Sequence, residues 1–110
     1  VDERIFSKEE LSAINRDSLM PIKQVSLESA MSTGDIISIH LPLNESTHQS
    51  INNYSFQQLK STAILINTAR GGIVNEHDLH SFLLSEKNAF AALDVFEIMD
   101  QDDKEPLMMD

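Results

Sequence analysis

The stretch INTARGG, residues 66–72, sets Arg70 between a small-residue turn and two of the chain's three glycines, directly after the apolar run AILI. A guanidinium is permanently charged and planar, so at a strand end it can grip a carboxylate through two parallel hydrogen bonds, a geometry lysine cannot copy. Gly71 and Gly72 permit positive φ and close backbone approach, which would let a small ligand touch the main chain of Thr68 and Ala69. On local sequence alone a second reading stands beside this one: an ordinary strand-to-helix turn carrying a surface arginine.

Asp94, in FAALDVF, is the second candidate. An ionised side chain in an apolar strand must find a partner or reach the open strand end, so it reads as a crevice residue or as a cap on the following turn. The histidines do not make a metal site. His77 and His80 are three apart on a helical pattern with no third ligand at suitable spacing. His40, at a strand end close to Pro42, reads as packed or hydrogen-bonded. DQDDKE (100–105) has calcium-ligand chemistry without the loop glycine and reads as a solvated charge run. No metal is expected, and no nucleophile–base pair is visible.

These side chains need a scaffold, and alternating short apolar runs and helical patterns supply one. Ser7 with Glu10 forms a capping-box pattern that starts a helix at about 8–14. PIKQV (21–25) predicts a short strand. Ser26 then opens a brief helix through Leu27, Ala30 and Met31, which Gly34 should end in a left-handed conformation. DIISIHL (35–41) predicts a strand covered on both faces. PLNEST (42–47) is a turn, and Ser55 with Gln58 predicts a helix ending near Lys60. AILIN (63–67) is the next strand. Asn75 with Asp78 caps a helix that sets Leu79, Phe82 and Leu83 on one face and runs to about Lys87. AFAALDVF (89–96) returns as a strand.

Strands separated by helical crossovers imply an α/β fold with a parallel sheet and helices on both faces. Ligands of such sheets bind at the carboxyl ends of the strands. Here those ends are Asp2, the turn at 40–42, residues 67–70 and Asp94.

The 110 residues fit one small domain, and no apolar run reaches the ~20 residues needed to cross a bilayer, so neither a linker nor a membrane partner is expected. A net charge of −10 argues against a nucleic-acid partner, which calls for a basic surface. Six acidic residues against one lysine fall within 97–110, which predicts a solvated loop there. The chain has no cysteine and therefore no disulfide framework, and the expected compartment is the cytoplasm.

Taken together, DIISIHLPLNESTHQSIN (35–52), AILINTARGGIVNEHDL (63–79) and AALDVFE (91–97) resemble the nucleotide-binding domain of the D-isomer-specific 2-hydroxyacid dehydrogenases, the family of phosphoglycerate and D-lactate dehydrogenases. The resemblance covers nearly the whole chain. It implies a Rossmann-like, doubly wound parallel sheet, with residues 1–110 as part of an NAD-binding domain, and a homodimer. Asp2 then matches the acidic residue that binds the adenosine ribose hydroxyls of NAD. Leu41 and Pro42 match the turn flanking the dinucleotide. Thr68 and Ala69 match main-chain contacts near the nicotinamide ribose and carboxamide, and Asp94 matches a carboxylate beside the nicotinamide. Arg70 matches the arginine that holds the carboxylate of a 2-keto or 2-hydroxy acid and polarises its keto group.

Some parts of the family pattern are not in this sequence. The GxGxxG phosphate loop belongs about twenty residues ahead of Asp2, and the general-acid histidine lies in a later Thr-Pro-His motif, so the chain by itself is expected to show little or no activity. The glutamate that orients that histidine should stand five residues after Asp94, where Met99 is found. Glu105 could realign to that role only if the acidic loop is an insertion. LKSTA (59–63) stands where a Pro-Gly turn is usual, and Phe90 where glycine is common. A non-catalytic dinucleotide-sensing or dimerisation module is the second reading, favoured by Met99 and opposed by Arg70 with Asp94. A generic acidic doubly wound domain ranks third.

Overall fold

The computed structural model describes residues 1–2, 4–16 and 20–97. Along the chain run α1 (Lys8–Asn15), α2 (Leu27–Thr33), β1 (Ile36–Ile39), α3 (Asn53–Phe56), β2 (Ile64–Asn67), α4 (Glu76–Ser85) and β3 (Phe90–Leu93). The three strands form one parallel sheet in the order β1-β2-β3. Parallel neighbours require a crossover at each step, and α3 and α4 lie in the two crossovers.

The helix starts follow their capping residues. Ser7 accepts from the Glu10 amide while the Glu10 carboxylate accepts from the Ser7 amide, the reciprocal box expected of that spacing. Asn75 accepts from the Asp78 amide and opens α4. Leu79 of α4 is fully buried, with Phe82 and Leu83 packed against the core, and the Phe82 ring stacks on Phe56 of α3 at 5.6 Å. Met31, Ile37, Ile39, Ile51, Leu65 and Ile73 complete this core. Each such side chain contributes about 1.5–3 kcal/mol on burial, so this layer sets the position of the strand ends.

The scaffold differs from the sequence expectations at several places. Residues 21–25 form no strand. The Asn15 side chain bonds both the N–H and the C=O of Ile22, and the Gln24 side chain bonds the Phe6 N–H and the Arg4 C=O. Backbone groups around this segment are thus held by side-chain amides rather than by a ladder. Gly34 ends α2 in an extended conformation, φ −73°, not a left-handed one. Its lack of a side chain serves space instead, since a Cβ there would lie 2.4 Å from Ile37 Cδ1 and 2.8 Å from the Ala30 carbonyl oxygen. The helix expected to start at Ser55 starts at Asn53, with Asn52 as cap and Ser55 at the third helical position.

Another difference concerns the sheet, which is covered on one face by the described residues. Ile37, Leu65 and Ala91 are buried, while Ile36, Ile64 and Phe90, aligned across the three strands, are exposed. Side chains alternate between faces along a strand, and the described helices leave the face of Ile36, Ile64 and Phe90 open. Residues 98–110, with the acidic run, Met99 and Glu105, lie outside the described residues.

Candidate functional site

The carboxyl ends of β1 and β2, with the segment at Asp2, enclose one open cleft. Asp2 is placed there by its neighbour. The Val1 nitrogen donates to the Ser38 carbonyl, and the Val1 carbonyl accepts from the His40 amide at 2.7 Å, so Val1 runs along the free edge of β1. Asp2 therefore emerges beside the end of β1, its Oδ1 accepting from the Arg4 amide at 2.9 Å.

The next rim is the turn after β1. His40 is exposed and its Nε2 pairs with Ser38 Oγ at 2.8 Å, the hydrogen-bonded role expected of it. Leu41 is half-buried, and the Pro42 carbonyl accepts from the buried Thr47 hydroxyl at 2.6 Å. Asn44 Oδ1 in turn accepts from the Ser46 and Thr47 amides, so the loop is held by its own side chains.

The third rim is the Arg70 turn, which rests on Asn67 at the end of β2. Asn67 is 1% exposed, and its side chain accepts from the Ala69 amide at 3.0 Å and donates to the Arg70 carbonyl at 3.1 Å. Both polar ends of a buried amide are thereby satisfied, and the loop between them is fixed. Arg70 itself is exposed. Its Nη1 donates to the Ala69 carbonyl at 2.9 Å, and no carboxylate among the described residues pairs with it.

The two glycines divide the expected roles, one taking the positive φ and the other the close approach. Gly72 has φ +92°, as a left-handed turn requires. At Gly71 a Cβ would lie 1.9 Å from the Phe96 carbonyl oxygen, so its close approach is to residues 96–97 of the same chain.

The cleft has a volume of about 690 Å³ and is lined by Asp2, His40, Leu41, Pro42, Leu43, Ala69 and Arg70. Of the residues singled out by sequence, Asp2, Leu41, Pro42, Ala69 and Arg70 thus meet around one space. Thr68 and Asp94 are exposed beside it but do not line it. Asp94 is not inside a strand. β3 ends at Leu93, and the Asp94 amide donates to the Asn67 carbonyl at 3.1 Å, so the chain leaves the sheet just where the charge appears. Its carboxylate stays in water at no desolvation cost.

Two contributors were not singled out by sequence. Asn67 could have been found, because asparagine after an apolar run, followed by a small-residue turn, favours a side-chain-to-backbone turn of this kind. Glu97 could not. Its Oε1 lies 2.7 Å from His48 Nε2, its Oε2 accepts from Gln49 at 3.4 Å, and its amide donates to Glu76 at 2.9 Å. The hydrogen bond from His48 holds the Glu97 carboxyl below the usual carboxylate range, against a smaller opposing effect of burial. These partners are far apart in sequence, and only folding joins them.

A parallel α/β sheet with an open cleft at its strand ends has that cleft where sheets of this class bind their ligands. Residues 5–110 match the family described as D-isomer specific 2-hydroxyacid dehydrogenase, NAD binding domain. The chain belongs to that family. It is 42% identical over 79 residues to a hydroxypyruvate reductase of Thermotoga maritima, covering 72% of this chain and 26% of the relative. It is 36% identical over 94 residues to the chloroplastic D-3-phosphoglycerate dehydrogenase 3 of Arabidopsis thaliana, covering 86% of this chain and 16% of that one. Among solved structures, the D-lactate dehydrogenase of Aquifex aeolicus complexed with NAD and lactic acid superposes with a TM-score of 0.73 at 28% identity, over 87% of this chain and 27% of that one. The chain thus spans about a quarter or less of the length of these proteins.

Proposed function

We propose that this chain forms the cofactor- and substrate-facing edge of an NAD-dependent dehydrogenase that interconverts a 2-keto acid and a D-2-hydroxy acid. The observation that carries the reading is Arg70. It is an exposed guanidinium without a carboxylate partner among the described residues, on a turn fixed by buried Asn67, and it shares a cleft with Asp2.

The chemistry of the cleft fits a dinucleotide. Asp2 keeps one carboxylate oxygen beyond that taken by the Arg4 amide, and it would accept from ribose hydroxyls. Leu41 and Pro42 offer apolar wall, and Thr68 is exposed beside it. The Ala69 carbonyl, which accepts from Arg70, keeps a second lone pair for a donor on the cofactor, while the Ala69 amide is taken by Asn67. Asp94, exposed beside the turn, would stand near the nicotinamide. When bound, the cofactor supplies the hydride. Arg70 would pair with the substrate carboxylate and draw electron density from the keto oxygen, which stabilises charge developing there as the carbonyl carbon is reduced. The proton that completes the alcohol is assigned to no residue of this chain.

Sequence relationship and the cleft support the same reading from separate directions. We extend it to a homodimeric, cytoplasmic protein, with the exposed apolar row of the sheet and the lack of cysteine in its favour.

The test is Arg70→Lys in the intact protein, assayed with NADH and a panel of 2-keto acids. Loss of the paired, planar hydrogen bonds should raise KM about tenfold or more while NADH affinity is kept. An unchanged KM would remove Arg70 from the site.

A further inference from the structure

Resting on that reading of the cleft as a dinucleotide site, we propose that Glu10 is a specificity-determining residue: by holding Arg4 in an ion pair, it keeps the site selective for a dinucleotide with a free 2′-hydroxyl over one with a 2′-phosphate. Arg4 stands two residues after Asp2, its amide bonded to the Asp2 carboxylate at 2.9 Å, and the two residues together line a second pocket that adjoins the cleft at Asp2. A carboxylate in such a place accepts from a ribose 2′-hydroxyl, whereas an arginine nearby can accommodate a 2′-phosphate. The chain carries both groups, and the structure engages one of them elsewhere. The Arg4 Nη2 donates to Glu10 Oε2 at 3.0 Å, and its guanidinium carbon lies 4.5 Å from the centre of the Phe6 ring.

The arrangement is anchored from both sides. Gln24 bonds the Arg4 carbonyl and the Phe6 amide, which fixes the backbone between guanidinium and ring. Glu10 accepts from the Ser7 amide through its other oxygen, so its position is set by the start of α1. That bond, followed by the one from Arg4, holds the Glu10 carboxyl below its usual range, and it is charged at neutral pH. Arg4 remains largely exposed, at 64% of its side chain. Among the described residues, the pair with Glu10 and the ring contact are what hold its side chain back from an added phosphate.

Glu10→Gln separates the charge from the cap, because glutamine at this helix position still completes the box with Ser7. Fluorescence titration of the intact protein with NADH and NADPH reads the effect without turnover. Loss of a surface ion pair should tighten NADPH about threefold relative to NADH. Adding Arg4→Gln to the same variant should abolish that gain, while circular dichroism shows α1 retained. An unchanged NADPH to NADH ratio in Glu10→Gln, or a gain that survives Arg4→Gln, would overturn the role of Glu10. Failure of the unmodified protein to bind either nucleotide would instead overturn the cofactor reading beneath it.

Discussion

The two sides of the cleft are built differently. The Arg70 side stands on the core: Asn67 is buried, Gly71 lies against the backbone at 96–97, and β2 is the central strand. The Asp2 side stands on peripheral chain. α1 has no fully buried residue, and its side-chain hydrogen bonds to other segments among the described residues are exposed ones, Glu10 with Arg4 and Asn15 with Ile22; Gln24 ties down the segment ahead of it at Arg4 and Phe6. A substrate carboxylate has one small shape and suits a preorganised fork, since affinity gained by rigidity comes from ordering done before binding. The Asp2 side is instead shaped by single exposed polar contacts, each of which one substitution can alter.

This contrast can be broken most sharply at Gly71. Gly71→Ala places a methyl group on backbone atoms of Phe96, which no change of rotamer relieves. We expect a loss of about 3 kcal/mol in denaturant unfolding, together with loss of order at residues 94–97 in NMR spectra. A variant of unchanged stability would show that the Arg70 side is no more rigid than the other.

On the Asp2 side, Ser7→Ala should cost about 1 kcal/mol of local helix stability. Faster amide exchange in the first turn of α1, with the global unfolding midpoint unmoved, would mark the segment as separable from the core. A matching global shift would erase the distinction.

The smallest effect belongs to Glu97. Its carboxyl is lowered in the folded protein from a value of 4.5, chiefly by His48. A lowered folded-state value means the unfolded chain binds the proton more readily, so the stabilisation is present above 4.5 and is lost as pH falls through the folded value. Both side chains are over 40% exposed, so solvent screens much of the pair. Glu97→Gln should therefore flatten only the acid limb of a stability profile. Equal loss for this variant at neutral and acid pH would show that packing, not charge, holds residues 94–97 to the Arg70 turn.

Helix starts were legible because a cap is a local event. Ser7 and Glu10 satisfy each other within three residues and Asn75 accepts from the Asp78 amide at the same spacing, so sequence specifies these two starts, whereas at α3 the cap is Asn52 rather than Ser55. The strand at 21–25 was misread because its apolar residues suggest a ladder, while Asn15 and Gln24 take up backbone groups around it from outside the segment. The one-sided cover of the sheet was misread for a related reason: apolar runs state that both faces can be buried, not which elements reach them.

By itself the sequence determined the parallel α/β scheme, the family, and the turn that carries Arg70, because periodicity, capping and the INTARGG and LDVFE stretches are all written locally. Only the tertiary structure decided that Asp2 and Arg70 face one cleft while Asp94 stands outside its lining. It also decided that Gly71 serves its own chain, that Glu97 meets His48, and that Arg4 is held by Glu10. Each of these depends on where separate backbones and side chains come to lie once the core has packed, and no spacing along the chain encodes that distance.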